Sequence, residues 1–377
     1  MKHIPYGRQS IDQSDVDAVC SVLNGEYLTT GPKIEEFESQ IASYVGSKYA
    51  IAVNSGTSAL DIAIGALEIP KGSEIITSPL TFAASANCAL YHNHIPVFAD
   101  IDPQTYNISP SQIEKKITKK TKAIVYVDYA GQPCDIDEIR EIAQKHNLYL
   151  IEDAAHAFGA KYKGKKVGTF ANMTEFSFHP VKHITTGEGG AITTDDPIIA
   201  SKLKLLRTHG IDRSQNAKKT FGNSSAYVYD MLTLGRNYRI TDIQCALGIS
   251  QLKRIDTFLK RRSEIASIYD DLFSGSKITS PFVKNDRESA WHLYPILLPK
   301  GSNRDAIFAN LRESGIGVNV HYIPIYKFSY YKKLFNIDSS LFPVTEDVYS
   351  RLLTIPIYYG LTDLEIQFVA DKIKSFI

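Results

Sequence analysis

Short apolar runs alternate with longer amphipathic segments through the first 153 residues of the chain. The apolar runs are predicted strands, at residues 49–53, 74–77, 96–100, 123–127 and 148–153. The segments between them have the periodicity of helices, at residues 57–67, 82–90, 109–117 and 136–146. Apolar strands separated by helices indicate an α/β fold with a mainly parallel sheet that is flanked by helices on both faces. Ligands of such sheets bind beyond the carboxyl ends of the strands, so a site is expected at that edge.

The last third of the chain has a different pattern. Apolar residues recur at helical spacing from about residue 241 to residue 273, and Thr241 with Gln244 forms a candidate capping box at the start. This pattern predicts one long helix that links two domains. Because 377 residues exceed one ordinary domain, we predict a large domain at residues 1–250 and a smaller C-terminal α+β domain at residues 251–377.

The composition argues against several classes of function. With 42 basic and 41 acidic residues the net charge is +1, so no strong field favours nucleic acid or an acidic membrane surface as a partner. The four cysteines are widely spaced and form no CxxC pair, which argues against a disulfide framework or a metal site. The sequence shows no secretory signal region and no apolar run of about 18 residues, so we expect a cytoplasmic protein without a membrane span.

Lys182 lies between an aromatic, strand-like run and the glycine-rich segment 187–190. Glycine lets backbone pass close to a large planar group, and a desolvated lysine amine forms reversible Schiff bases with aldehydes. Taken alone, Lys182 is more simply explained as a surface residue of a loop, because most lysines are exposed. Its interpretation therefore depends on the rest of the chain.

A turn rich in small residues, Asn54-Ser-Gly-Thr-Ser-Ala59, joins a predicted strand to a predicted helix. The hydroxyls of this turn, the unpaired N–H groups of a helix start and the helix dipole together suit one phosphate. An ordinary turn with a Ser or Thr cap explains the same residues equally well. No lysine follows the glycine at the spacing of a nucleotide-binding P-loop.

Asp153 ends a predicted strand at the edge where ligands bind. A carboxylate in such a place needs a positive partner, and a protonated pyridine nitrogen is one. That ion pair would let the ring accept electrons, which is the chemistry of pyridoxal 5′-phosphate (PLP). Taken alone, a carboxylate that caps the next turn is the simpler explanation.

Three other residues could complete a PLP pocket. Phe82 could stack on the ring, His156 could pack on its opposite face or bond its hydroxyl, and Ser177 could reach the phosphate. Core packing is the commoner role for each of them. Only the combination of phosphate turn, aromatic residue, strand-end Asp153 and late Lys182, in that order, points to one pocket.

Four motifs carry a resemblance to a known family. They are SGTSA at 55–59, EDAAHAFGA at 152–160, SFHPVKHITTGEGGA at 177–191 and GRNYRITDIQCALG at 235–248. In this order they resemble the DegT/DnrJ/EryC1/StrS aminotransferases, which are fold-type I PLP enzymes that act on nucleotide-linked keto sugars. The segments VDYAGQP at 127–133 and HLYPILL at 292–298 resemble most closely the subgroup of pseudaminic acid biosynthesis.

The resemblance implies a role for each matching position. Lys182 would carry the cofactor and move protons, and Asp153 would hold the ring nitrogen. The remaining cofactor contacts would come from Gly56, Thr57, Ser58, Phe82, His156, Ser177 and Asn237. Asn237 would reach the phosphate in a neighbouring subunit, which implies a homodimer with shared sites.

Two positions depart from the common pattern of the family. His156 often corresponds to Gln, which leaves the contact with the ring hydroxyl open. Asp128 stands where many members have His, and we interpret it as a specificity difference.

The resemblance also implies the substrates, a UDP-linked 4-keto-6-deoxy sugar that is aminated at C4 and L-glutamate as the amino donor. The candidate substrate contacts are Tyr6, Leu28, Thr29, Thr30, His179, Arg236, His321 and Tyr322. Arg236, Arg239 and Lys327 are candidates for the diphosphate.

Three alternatives stay open at this point. The nucleotide could be dTDP or GDP instead of UDP. The chain could be a dehydratase of the same fold, although such relatives carry His at the position of Lys182 and here His183 only follows it. It could also be a PLP-binding regulator without turnover, which the presence of both Lys182 and Asp153 disfavours.

Overall fold

The computed structural model describes residues 3–214, 220, 222 and 225–377. The helices of this part are α1 (Gln13–Leu23), α2 (Pro32–Val45), α3 (Gly56–Ala66), α4 (Ala84–Tyr91), α5 (Pro110–Lys116), α6 (Ile136–His146), α7 (Pro197–Arg207), α8 (Asp242–Leu252), α9 (Ile255–Phe273), α10 (Arg304–Glu313), α11 (Ser329–Phe335), α12 (Pro343–Arg351) and α13 (Asp363–Ser375). The strands are β1 (Tyr49–Val53), β2 (Glu74–Thr77), β3 (Ile95–Phe98), β4 (Thr121–Val127), β5 (Tyr149–Asp153), β6 (Lys161–Tyr162), β7 (Lys165–Lys166), β8 (Met173–Ser177), β9 (Gly190–Thr194), β10 (Ile211–Asp212), β11 (Asp230–Met231), β12 (Arg287–Glu288), β13 (Tyr294–Leu297) and β14 (Leu352–Ile355).

A seven-stranded sheet organises the first part of the chain, in the order β1-β9-β8-β5-β4-β2-β3. The strands from β8 to β3 run parallel to one another, whereas β9 is antiparallel to both β1 and β8. The predicted mainly parallel sheet is therefore confirmed. The five strands predicted up to residue 153 correspond to β1–β5, with ends that differ by one or two residues.

The two faces of the sheet bury different side chains of the same strand. In β4, Val125 packs in a cluster with helix α3, whereas Ile124 packs in a cluster with helix α6. Side chains alternate between faces along a strand, so Asp153 shares the α3 face with Ile151. This alternation determines which side chains meet the start of α3 at the carboxyl edge.

The C-terminal third builds a second apolar cluster around the antiparallel pair β13 and β14. Helices α9, α10 and α13 contribute to it, for example through Tyr269, Leu311 and Val369, and Ile4 from the N-terminal segment packs there as well. The α+β character predicted for this part is confirmed. The division of domains near residue 250 stays a prediction.

The prediction of one long helix from 241 to 273 is wrong. The capping box of Thr241 and Gln244 is present, but α8 ends at Leu252 and α9 begins at Ile255. Arg254 lies at the break, where its guanidinium pairs with Asp12 and Asp15 of the N-terminal segment. No Gly or Pro marks this break in the sequence, and the ion pairs of Arg254 stabilise the chain there.

No helix in the described part of the chain is long and apolar enough to cross a membrane.

Candidate active site

Lys182 projects from a compact loop that follows β8. The amide of Lys182 donates to the His179 carbonyl at 2.9 Å, and the Thr186 amide returns to the Phe178 carbonyl at 3.0 Å. The Nζ atom of Lys182 lies 3.5 Å from Nε2 of His292. Burial lowers the pKa of Lys182 to about 8. A substantial fraction of this amine is therefore neutral and nucleophilic near physiological pH.

Asp153 lies at the carboxyl end of β5 with 4% of its surface exposed. Its Oδ2 accepts from the Ser85 hydroxyl at 2.6 Å, and its Oδ1 accepts from the Ala155 amide at 3.2 Å. These two bonds fix the direction of the carboxylate. They leave lone pairs for a further donor, as a protonated ring nitrogen would be.

The predicted phosphate turn forms the N-terminus of α3. Ser55 is the N-cap, and its hydroxyl oxygen accepts from the Ser58 amide at 3.1 Å. The Ser58 hydroxyl donates to Oδ1 of Asn54 at 2.6 Å, so it stabilises the turn itself. The sequence had instead suggested that this hydroxyl would bind a phosphate. Thr57, which is only partly buried, remains available in the first turn.

Gly56 is closely packed against β8. A Cβ on Gly56 would lie 2.2 Å from Oε1 of Glu175 and 3.1 Å from Cβ of Ser177. Any side chain at position 56 would therefore collide with neighbours in the sheet. The same contact shows that Ser177 lies beside the start of α3; its contact with a phosphate stays a prediction.

His156 and Tyr322 are brought together although 166 residues separate them. The Ala130 amide donates to His156 Nδ1 at 3.3 Å, and His156 Nε2 lies 2.9 Å from the Tyr322 hydroxyl. Burial lowers the pKa of His156 well below its ordinary value, so the ring is neutral and carries its proton on Nε2. The Phe82 ring lies 6.1 Å from Tyr322 and is 59% exposed, which leaves an aromatic surface open for stacking.

The predicted substrate residues Tyr6 and His321 also join this cluster. The rings of Tyr6 and His321 lie 5.4 Å apart, and His321 lies 5.0 Å from Tyr322. Burial together with the charge of Lys182 lowers the pKa of His321 to about 4, so His321 is neutral at physiological pH. The N-terminal segment and the C-terminal third therefore both contribute to the surroundings of Lys182.

Other predicted substrate residues lie on the surface of this chain. Leu28, Thr29 and Thr30 are exposed, and their segment is tied to α8 through the Asp242 amide, which donates to the Leu28 carbonyl at 3.0 Å. His179 is exposed in the loop of Lys182. Nothing in these positions directs the four side chains to the Lys182 amine of the same chain.

Two of the cations proposed for the diphosphate have ion-pair partners within the chain. Arg236 pairs with Asp61 at 3.2 Å, and Lys327 pairs with Glu346 at 2.7 Å. Arg239 borders a separate open groove that also contains Thr30 and Arg207. Of the described residues, none forms an ion pair with Arg239 within 4.0 Å, so it is the best placed of the three to meet an external anion.

Asn237 is exposed, and it lies in a segment that runs beside the phosphate turn. The carbonyl of its neighbour Tyr238 accepts from the Asn54 amide at 3.0 Å. Asp61 holds this segment through the Tyr238 hydroxyl, which donates at 2.7 Å, and through Arg236.

The specificity role expected for Asp128 does not agree with its position. Asp128 is fully buried, and its Oδ1 accepts from the Cys134 amide at 2.9 Å. It therefore supports the turn that carries Ala130, whose amide binds His156, and offers no exposed carboxylate to a substrate.

Comparison with known proteins shows which family has this sequence. The DegT/DnrJ/EryC1/StrS aminotransferase family matches residues 9–374. This chain belongs to that family.

Several relatives of the aminotransferase match over the full length. A Campylobacter jejuni UDP-4-amino-4,6-dideoxy-N-acetyl-β-L-altrosamine transaminase is 43% identical, over 99% of this chain and 97% of its own. The structure of Helicobacter pylori PseC, an aminotransferase of pseudaminic acid biosynthesis, has a TM-score of 0.93 and 36% identity over 100% of this chain and 99% of its own. A Streptococcus pneumoniae protein assigned as a sugar aminotransferase, solved in its PLP form, has a TM-score of 0.92 and 30% identity over 99% and 98%.

Enzymes of this family depend on PLP, and the chain is accordingly a PLP-dependent aminotransferase. The residues of this chain fit that cofactor. The partly desolvated amine of Lys182 suits the aldehyde of PLP, and the directed carboxylate of Asp153 suits the ring nitrogen. The helix start at Gly56, which has no room for a side chain, suits the phosphate, and the exposed ring of Phe82 suits a face of the PLP ring. In the described part of the chain no cluster of three or more metal-ligating side chains occurs.

Sequence reasoning missed four residues of the aminotransferase site. They are Ser85, Glu175, His292 and Arg262. Ser85 binds Asp153, Glu175 lies against Gly56, and His292 approaches Lys182. The Arg262 guanidinium donates to the carbonyls of Trp291, His292, Ile357 and Val181. The only signal in the sequence was a charged residue, Glu175, within a strand that is otherwise uncharged.

Proposed function

We propose that this aminotransferase moves an amino group from L-glutamate to C4 of UDP-2-acetamido-2,6-dideoxy-β-L-arabino-hex-4-ulose. The product would be UDP-4-amino-4,6-dideoxy-N-acetyl-β-L-altrosamine. The observation that carries this proposal is the 43% identity, over 99% of the chain, with a transaminase that is named for this product.

Lys182 is the proposed catalytic residue. Its amine would hold the aldehyde carbon of the cofactor and, when free, would take and return the proton at the substrate carbon. A pKa of about 8 suits both tasks, because an acid–base group works best near the operating pH. Bound PLP supplies the electron sink that makes the carbon acidic.

The other cofactor contacts are proposed from their positions. Asp153, directed by Ser85, would pair with the positive ring nitrogen. Gly56, Thr57 and Ser177 would hold the phosphate at the start of α3, and Phe82 would cover a ring face.

The cluster of His156, Tyr322, His321 and Tyr6 is proposed to shape the pocket for the sugar. Burial keeps both imidazoles neutral, so they offer hydrogen bonds without an added charge. His156 Nε2 can donate to the Tyr322 hydroxyl, which leaves that hydroxyl free to donate to a substrate oxygen.

A homodimer with shared sites is part of the proposal. Side chains that are apolar and largely exposed recur just before Asn237, at Tyr229, Met231, Leu232 and Leu234. Exposed apolar patches of this kind mark protein interfaces. Burying them against a second copy would bring Asn237 and the exposed segment 28–30 towards the partner's site.

Two further points belong to the proposal. A cytoplasmic location is supported by the four cysteines, all of which are free. Transamination is favoured over dehydration because Lys182 faces the site, whereas Nε2 of the buried His183 lies 3.1 Å from the Ala290 carbonyl.

The proposal is tested by mass analysis of products formed with PLP, L-glutamate and a panel of UDP-, dTDP- and GDP-linked 4-keto-6-deoxy sugars. We expect 2-oxoglutarate and the 4-amino sugar, formed fastest from the UDP-linked 2-acetamido substrate. Faster amination of a dTDP- or GDP-linked sugar would refute the substrate assignment, and loss of a hydroxyl without amine transfer would refute transamination. Lys182→Ala is the matched control and should form neither product.

A further inference from the structure

Glu175 is a buried carboxyl group beside the proposed cofactor that the roles above do not use. It is 1% exposed, and neither of its carboxyl oxygens has a conventional hydrogen-bond partner among the described residues. A buried carboxylate without partners is costly, so its protonation and its neighbours need an explanation.

The sheet register places Glu175 next to Asp153. The two residues are direct partners on the parallel strands β8 and β5, so their side chains leave the same face of the sheet. Two ionised carboxylates side by side on one face would repel each other, and the pair is stabilised when one of the two carries a proton.

The Glu175 carboxyl also packs against the start of α3. Its Oε1 lies 2.2 Å from the position that a Cβ of Gly56 would take. Ser177, two residues further along β8, closes the same side next to Gly56. The glycine at the start of α3 therefore makes room for the Glu175 carboxyl as well as for a phosphate.

The proton belongs on Glu175 and not on Asp153. Asp153 accepts bonds from the Ser85 hydroxyl and the Ala155 amide, so both of its carboxyl oxygens already act as acceptors. Glu175 has no such donors, and burial next to Asp153 raises the pKa of Glu175 well above its ordinary value, with Lys182 as the opposing charge.

We infer that Glu175 is a positioning residue that stays protonated and donates a hydrogen bond to Asp153. This donor is the third bond on the Asp153 carboxylate, after Ser85 and Ala155. Together the three bonds fix the direction of the Asp153 carboxylate, so that one lone pair would be available to the ring nitrogen. The inference rests on the role proposed above for Asp153.

The first test detects the proton itself. Infrared difference spectra of the full-length cofactor-free protein, with and without 4′-deoxypyridoxine 5′-phosphate, report protonated carboxyl groups near the ligand. This probe has the ring and phosphate but cannot bond to Lys182. We expect a shift of a carboxylic acid band when the probe binds. This shift should be absent in Glu175→Gln and retained in Glu152→Gln.

Glu152 is the matched control for Glu175. It is a fully buried carboxyl that precedes Asp153 in β5, and it binds Thr174 on the other face of the sheet. An unchanged band in Glu175→Gln would overturn the inference.

The second test separates a donor from a charge. The Gln of Glu175→Gln can still donate to Asp153, whereas Glu175→Met has similar length and no donor. We expect Glu175→Gln to bind the probe like the wild type and to keep its ring protonated, as read from the absorption of the bound probe. Glu175→Met should bind about 10-fold more weakly or worse, the value of one hydrogen bond to a charged group. Equal losses in both variants would overturn the inference, since they would show that the charge of Glu175 matters.

Two controls keep the result interpretable. Thermal unfolding of each variant identifies any loss of fold, and if Glu175→Met does not fold, the infrared comparison of the wild type with Glu175→Gln decides the inference. Asp153→Asn should lose protonation of the bound ring. If it does not, the role of Asp153 fails, while the infrared result on Glu175 still stands or falls by itself.

Discussion

The Lys182 amine lies 3.5 Å from Nε2 of His292, although 110 residues separate the two in the chain. Arg262 joins the two segments, because its guanidinium donates to the carbonyls of His292 and of Val181, the residue before Lys182. Burial lowers the pKa of His292 well below its ordinary value, so this imidazole is neutral and adds no charge beside the Lys182 amine. The amine thus has a neutral imidazole and a buried cation near it, besides the carboxyl pair of Asp153 and Glu175.

The first prediction concerns the reactivity of Lys182. In the cofactor-free protein its acylation should rise with a midpoint near pH 8, as measured by competitive labelling and mass spectrometry. Surface lysines in the same digest provide the reference, with midpoints near 10.4 as in model peptides. A midpoint for Lys182 near that reference would contradict the desolvated site.

The same shift predicts an effect on stability. Because the pKa of Lys182 is lower in the folded than in the unfolded protein, the ammonium form is a cost to folding that is fully present below about pH 8. The cost declines as the pH rises from about 8 towards the unfolded value near 10.4. Lys182→Met should therefore raise the melting temperature of the cofactor-free protein at pH 7, and this gain should shrink by pH 10. A variant that melts lower at pH 7 would show that the ammonium stabilises the fold.

Loss of the Lys182 amine should abolish turnover without unfolding the protein. Proton transfer alone contributes roughly 10²–10⁴-fold, so Lys182→Ala should lose at least that much in kcat. Borohydride treatment of the loaded wild-type protein should fix the cofactor on the peptide that contains Lys182. Turnover at the wild-type rate, or fixation on a different lysine, would refute the assignment, and circular dichroism checks that the variant is folded.

Asp153→Asn should lower kcat/KM by roughly 10²–10³-fold, because it removes the charge that pairs with the ring nitrogen while keeping the shape. Ser85→Ala, which removes one directing bond of 2.6 Å, should have a smaller effect of about 10-fold. Steady-state kinetics measures both. A larger loss from Ser85→Ala than from Asp153→Asn would reverse the proposed order of importance.

Gly56→Ala should weaken PLP binding and destabilise the protein by about 1–3 kcal/mol, since its Cβ would meet Glu175 and Ser177 in a packed site. Gly360→Ala is the matched control, because a Cβ there would have its nearest neighbour at 4.0 Å. Cofactor titration and thermal unfolding measure the two effects. If both alanine variants behaved alike, the close packing at Gly56 would not matter.

Shared sites predict complementation between inactive variants. Lys182→Ala and Asn237→Ala subunits, mixed after dissociation, would form heterodimers with one site that has both native residues. Equal mixing should restore about a quarter of the wild-type sites, since half of the dimers are heterodimers and each has one native site of two. The unmixed variants are the controls. No gain in cofactor binding or activity in a mixture shown to contain heterodimers would place Asn237 in the site of its own subunit.

Local pattern was sufficient for the parts of the molecule whose cause is local. Apolar runs of strand length and the turn at 54–59 predicted β1 to β5 and the start of α3, because backbone propensity and side-chain periodicity act over a few residues. Lys182 and Asp153 were recognisable because a strand end or a glycine-rich loop is a local feature. The break at Arg254 was not predictable, since the aspartates that stabilise the chain there belong to the distant N-terminal segment.

The sequence by itself determined the alternating α/β pattern, the family resemblance and the two residues on which the proposed chemistry depends, Lys182 and Asp153. Only the tertiary structure placed Ser85 on Asp153, His292 beside Lys182 and Tyr322 on His156. It also paired Glu175 with Asp153, which required the order and register of the strands. The physical reason is that burial, hydrogen-bond partners and pKa values depend on neighbours in space, and these come from elements far apart in the chain.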